Sequence, residues 1–146
     1  MPTFRQPRPD NLRLYEDIAL IQNDYLSSAI ETTGATLTTM FDYVLTDDTL
    51  DQLYYVESMV MAIEVATGKI LVSREECAFS FIGGVWVQGT EQNTYIYNEF
   101  STAYTMLTKG TSPAFIRVRV GGEAGITIQW KCELRLKKII IETTLP

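Results

Sequence analysis

Between Ile126 and Lys137 the chain alternates without a fault: Ile126, Ile128, Trp130, Cys132, Leu134 and Leu136 are apolar, and the residues between them are polar. Successive side chains of a strand point to opposite faces, so this pattern predicts a long strand with one dry face and one wet or polar-paired face. A helix would scatter the same apolar residues around its axis. Phe115 to Val120 alternates in the same way, setting Ile116, Val118 and Val120 against Arg117 and Arg119. The glycine-rich connection Gly121 to Gly125 joins the two runs, and the pair reads as a hairpin, the clearest in the chain.

Leu37, Thr39, Phe41, Tyr43 and Leu45 alternate between Thr33-Gly34 and the turn material Thr46 to Thr49, which predicts another strand. Tyr54 to Val65 is rich in β-branched and aromatic residues, with few polar positions besides Glu57, Ser58 and Glu64. Such a strand is buried on most of both faces, or lies against another subunit on the second. Ala66 to Lys69 reads as a tight turn returning to Ile70–Val72. After Arg74-Glu75-Glu76 a further alternation, Cys77, Phe79 and Phe81, closes at Gly83-Gly84, and short strands follow at 85–87, 94–97 and 103–107. The total, about eight or nine short strands at roughly regular spacing, predicts an all-β antiparallel sandwich or barrel.

The first residues do not share this pattern. From Leu12 to Ile30 the periodicity fits an irregular strand and a helix about equally. Residues 1–11 carry three of the five prolines and almost nothing able to form a core, so an extended arm is expected. Phe4, Arg5 and Arg8 are its candidates for holding a partner chain; the alternative is that the arm folds back on its own domain.

At 146 residues and 46% hydrophobic, the composition is that of one globular domain. The net charge of −6 argues against a general nucleic-acid-binding surface, which rests on clustered Lys and Arg. No apolar run is long enough for a membrane span, and the N-terminus has no signal-peptide core, so synthesis in a cytoplasm without membrane insertion is expected.

The chain has no histidine, which removes the usual general base and every Ser-His-Asp or Cys-His arrangement. No phosphate-binding or nucleophile-elbow motif is present. Asp47, Asp48 and Asp51 read as a solvated turn, with a weak calcium site as the sharper alternative. Glu75 and Glu76 read as a polar strand entrance; on extended backbone they point to opposite faces and form no carboxyl dyad. Cys77 and Cys132 read as reduced, buried thiols, or as a late disulfide if their strands are neighbours. Trp86, Tyr95, Tyr97 and Tyr104 fit core or interface packing, or an exposed platform for a sugar or protein receptor. Arg117, Arg119, Lys131, Arg135, Lys137 and Lys138 form a local basic stripe on the polar faces of the strands, expected to pair with carboxylates of a neighbouring strand or subunit. A non-enzymatic protein without cofactor or metal is expected.

Read in order, Thr32-Thr33-Gly34-Ala35-Thr36-Leu37, Tyr54-Tyr55-Val56-Glu57, Cys77-Ala78-Phe79 and the run from Ile116 to Cys132 resemble a β-sandwich module of tailed-phage virion proteins. Such modules occur at the ends of fibres and in small capsid-associated or decoration proteins. The most specific piece is Val118 to Lys131. The resemblance implies a jelly-roll sandwich over residues 32–146, preceded by an anchoring segment over 1–31. It also implies a virion protein that self-associates, usually as a trimer, and attaches to a capsid or tail protein through its N-terminal segment. The absence of a long fibre shaft favours a small head-attached or connector-like protein, with a receptor- or glycan-binding module as the alternative. The surfaces that would meet a partner are the second face of the Tyr54–Val65 strand, with Tyr55, Glu57 and Met59, and the basic positions Arg117, Arg119, Lys131, Arg135 and Lys137.

Overall fold

The computed structural model describes residues 21–45, 50–111 and 113–141. These form nine strands: β1 (Ile21–Thr33), β2 (Leu37–Val44), β3 (Asp51–Ile63), β4 (Ile70–Ile82), β5 (Val85–Gln88), β6 (Gln92–Asn98), β7 (Tyr104–Thr111), β8 (Ala114–Gly121) and β9 (Thr127–Ile141). All pairings are antiparallel. A six-stranded sheet has the order β1-β9-β3-β4-β5, with β6 pairing the other part of the same β4 edge, and a three-stranded sheet has the order β2-β8-β7. The antiparallel β-sandwich expected from the alternation is the observed fold. First and last strands pair, as do second and second-last, a nesting that makes one long folded-over hairpin of the chain. The nesting stops at β3, which joins β9 and β4 in the large sheet.

Alternation decides the core. On β9 Ile128, Trp130, Cys132, Leu134 and Leu136 point inward and are buried, as are Ile116, Val118 and Val120 on β8. β3 contributes Tyr54, Val56 and Val60, and β4 contributes Leu71, Cys77 and Phe79. Trp130 also satisfies its polar edge, its indole N–H donating to Thr32 Oγ1 at 2.9 Å in the buried layer.

Two expectations are corrected at the connection between β8 and β9. These strands are not a hairpin: β8 pairs with β2 and β7, and β9 with β1 and β3. The stretch from Gly122 to Ile126 carries the chain from one sheet to the other. A strand with one apolar face looks the same whether its neighbour lies beside it or across the core, so alternation could not separate the two arrangements. Gly122 is pinned at the crossing, where a Cβ would strike the Gly34 carbonyl oxygen and the Thr32 side chain. The basic stripe that depended on the hairpin is divided, with Arg117 and Arg119 on the outer face of the small sheet, Lys131, Arg135 and Lys137 on that of the large sheet, and Lys138 buried.

The proposed boundary between residues 31 and 32 falls inside β1, which is paired with β9 from Ile21↔Ile139 to Thr33↔Thr127. β4 runs unbroken through Arg74-Glu75-Glu76, joining two segments that the sequence reading kept apart. Gly83 and Gly84, with φ of 59° and 80°, make the two-residue turn into β5 that left-handed residues favour. Asp51 Oδ1 accepts the Gly83 N–H at 3.0 Å, whereas Asp47 and Asp48 lie outside the described residues. Phe4, Arg5 and Arg8 lie outside them as well.

Candidate interaction surface

The outer face of the large sheet is built from the residues of β1, β9, β3 and β4 that alternate away from the core. Cross-strand register arranges its centre in two adjacent rows. One row runs Glu133, Met59, Arg74 across β9, β3 and β4, and the next runs Arg135, Glu57, Glu76. Arg74 and Glu76 form an ion pair at 3.3 Å, and Arg135 lies over the Tyr25 ring at 5.7 Å. Tyr55 donates its hydroxyl to Glu76; that hydrogen bond, then burial and the carboxylate's charge, push the phenol up to about 12.

This charged belt separates two apolar zones. Toward the β3–β4 turn, Ala29, Met61, Ile63, Ile70 and Val72 line a shallow groove of about 720 Å³. Met61 is 46% exposed and Ile63 41%. Toward the other end Leu53, Ile82, Val85 and Val87 are exposed. The exposed apolar side chains of this face are gathered into zones, as distinct from single scattered ones. β3 thus carries apolar residues on both faces, one in the core and one at the surface, as its sequence predicted.

Tyr55, Glu57, Met59, Lys131, Arg135 and Lys137 lie together on this face. Arg117 and Arg119 do not; they occupy the outer face of the small sheet, where Arg117 Nε and a terminal nitrogen donate to the two Asp42 oxygens at 2.6 and 2.9 Å. That pairing, despite an opposing contribution from burial, holds the Asp42 carboxyl below the usual carboxylate range. It is the cross-strand partnership expected of Arg117, made within one sheet, whereas the Arg119 Nε is buried without a hydrogen-bond partner among the described residues. Lys138 turns inward, its ammonium 5.9 Å from the centre of the Tyr54 ring.

The four aromatic candidates do not form a platform. Trp86 is buried, stacked on Phe79 at 5.5 Å and edge-on to Tyr54 at 5.9 Å, because β5 turns it into the core and leaves Val85 and Val87 outside. Tyr104 is on the small sheet, its ring over Gly121. Tyr95 and Tyr97 share β6, but a bulge separates them: Tyr95 opposes the inward Ser73 and Tyr97 the outward Val72. Tyr97, 50% exposed, stays available as a surface aromatic.

Sequence reasoning missed a polar seam between β4 and β7. Glu75 is completely buried, with inward Ser73 and Cys77 on either side in β4. Its carboxyl accepts from Asn93 Nδ2 at 3.0 Å and lies 3.5 Å from Ser58 Oγ. Burial, then a hydrogen bond and repulsion from the Glu91 carboxyl, push Glu75 up to about 9, so it carries a proton at neutral pH. Glu91 Oε2 in turn accepts the Leu107 N–H at 3.0 Å. Gln88 Nε2 donates to the Leu107 carbonyl at 3.1 Å, Asn93 Nδ2 to the Thr105 carbonyl at 3.2 Å, and Tyr95 Oη accepts the Thr105 N–H at 3.1 Å. Four side chains thereby complete the backbone edge of β7 where, among the described residues, no strand does. Paired carboxyl groups are the arrangement that glycosidases use; here Glu75 is sealed in the core and Glu91 accepts from the β7 backbone. Cys77 and Cys132 are free and buried in the same layer, and burial raises both thiols.

No family model matches the chain, and no curated protein is significantly similar to it in sequence. Among solved structures it is similar to the tailspike protein of Acinetobacter baumannii phage AM24, with a TM-score of 0.54 at 6% identity over 88% of this chain and 27% of that one. At this identity the likeness is one of fold, and the chain spans about a quarter of the tailspike's length.

Proposed function

We propose that the chain is a structural component of a bacteriophage virion, attached to the tail or capsid by the segment preceding β1 and self-associating through the outer face of the large sheet. The observation that supports this most is the likeness in fold to a phage tailspike over 88% of the chain. The motif order from Thr32 to Cys132 points to the same class of protein, and three copies is the number that this resemblance implies. Two apolar zones flanking a belt of both charge signs supply a surface for the contact. The role is non-catalytic: the chain has no histidine, and the Glu75–Glu91 pair serves the seam. The protein is made in the host cytoplasm and acts in the virion.

Mass measurement of the purified chain at micromolar concentration, with cosedimentation on assembled particles, tests this. An oligomer that binds particles is expected; a strict monomer that ignores them sinks the proposal. The exposed Tyr97 supports a second reading, a receptor- or glycan-binding module, in which glycan-array binding is lost on Tyr97→Ala.

A further inference from the structure

We infer that the outer face of the large sheet pairs with the same face of a second copy about a two-fold axis running along β3. This rests on the self-association through that face proposed above and gives it a two-fold symmetry in place of the three copies that the resemblance implies. β3 lies between β9 and β4, so turning a second copy over about β3 lays its β4 on β9 of the first. In the first row Glu133 then faces Arg74 of the second copy, and in the next row Arg135 faces Glu76 of the second copy. Each contact occurs twice, since the axis repeats it. Along the axis each β3 residue meets its own counterpart: Met61 on Met61 and Ile63 on Ile63 remove these exposed apolar side chains from water, and Glu57 meets Glu57 between the flanking Arg135 and Glu76 pairs.

A face that matches itself with opposite charges suits an isologous contact, whereas a three-fold ring needs two different patches. The other in-plane two-fold, running across the strands, also joins opposite charges, Glu133 on Arg135 and Arg74 on Glu76, but it sets Lys131 on Lys137 twice, whereas the axis along β3 sets Glu57 on Glu57 once. An axis along β3 also keeps the strand directions of the two sheets aligned, the arrangement in which twisted sheets pack face to face. β1, β9, β3 and β4 are 13 to 15 residues long. At about 4.8 Å between strands and about 3.3 Å per residue they present roughly 800 Å², the share each partner contributes to an interface of ordinary size.

Sedimentation equilibrium of the complete chain is expected to give twice the protomer mass of 16.5 kDa. Because Cys77 and Cys132 are buried, Met61→Cys leaves one accessible thiol, and a short bis-maleimide should join two such chains; Thr108→Cys on the small sheet should give no product. Arg74→Glu is expected to weaken the dimer about tenfold or more, and adding Glu133→Arg to restore it to within about threefold. A chain that Arg74→Glu had merely unfolded would not be rescued in this way. A dimer that does not cross-link through position 61 overturns the face, and failure of the charge swap overturns the axis. A trimer overturns the two-fold while leaving self-association standing, and a monomer overturns both.

Discussion

Glu75 shows how one residue's surroundings set its chemistry. A carboxyl sealed between the sheets beside Glu91 keeps its proton, while the unfolded chain gives the proton up near the ordinary glutamate value of 4.5. The folded state therefore binds more protons than the unfolded state between pH 4.5 and about 9. Over that window this group's contribution makes stability fall as pH rises; below it both states are protonated and the penalty vanishes. The limit for one proton is about 1.4 kcal/mol per pH unit. Glu75→Gln keeps a neutral donor of nearly the same shape, so it should flatten this slope and exceed the unaltered protein in stability at pH 8. Urea midpoints from pH 5 to pH 8 for the two chains measure it. Equal slopes would show that Glu75 is ionised in the fold.

The seam matters equally at the scale of elements. Among the described residues β7 ends its sheet, and its edge away from β8 has no strand partner. An open edge of that kind invites pairing with other chains; here Gln88, Glu91, Asn93 and Tyr95 occupy it with side chains. Removing one of these partners exposes a single amide without disturbing the β7–β8 ladder. Glu91→Ala should therefore speed hydrogen exchange at the Leu107 amide by about tenfold, the worth of one hydrogen bond, and leave Val118 unchanged. Uniform acceleration along β7 and β8 would mean that the seam holds the whole sheet together. The role of Tyr95 in this edge also explains why an aromatic residue in an exposed strand need not be a ligand platform.

At the scale of the molecule the sandwich has two unlike outer faces. The small sheet presents Arg117 already satisfied by Asp42, whereas the large sheet presents charged rows between apolar zones. The pairing of β1 with β9 begins at Ile21, and residues 1–11 lie outside the described residues. Deleting residues 1–11 should leave the circular dichroism spectrum and the unfolding midpoint unchanged while abolishing attachment to particles. A truncated chain that still binds particles would place the attachment elsewhere, with the large sheet's face as the next surface to alter.

Most strands were legible from the sequence because alternation is a local property of the backbone: Ile128 to Leu136, Ile116 to Val120 and Cys77 to Phe81 announce which side is dry whatever they pack against. The apolar second face of β3 was legible for the same reason. Pairing was not, since it joins residues far apart in the chain. That is why β8 and β9 read as a hairpin and proved to lie in opposite sheets, and why the basic stripe came apart with them. Glu75 was illegible because a polar residue on the dry side of an alternation looks like the end of a strand until Asn93, Glu91 and Ser58 are brought around it. Local composition determined the strands and their dry faces; only the tertiary structure decided the neighbours, and with them the seam, the buried proton and the face left open to a partner.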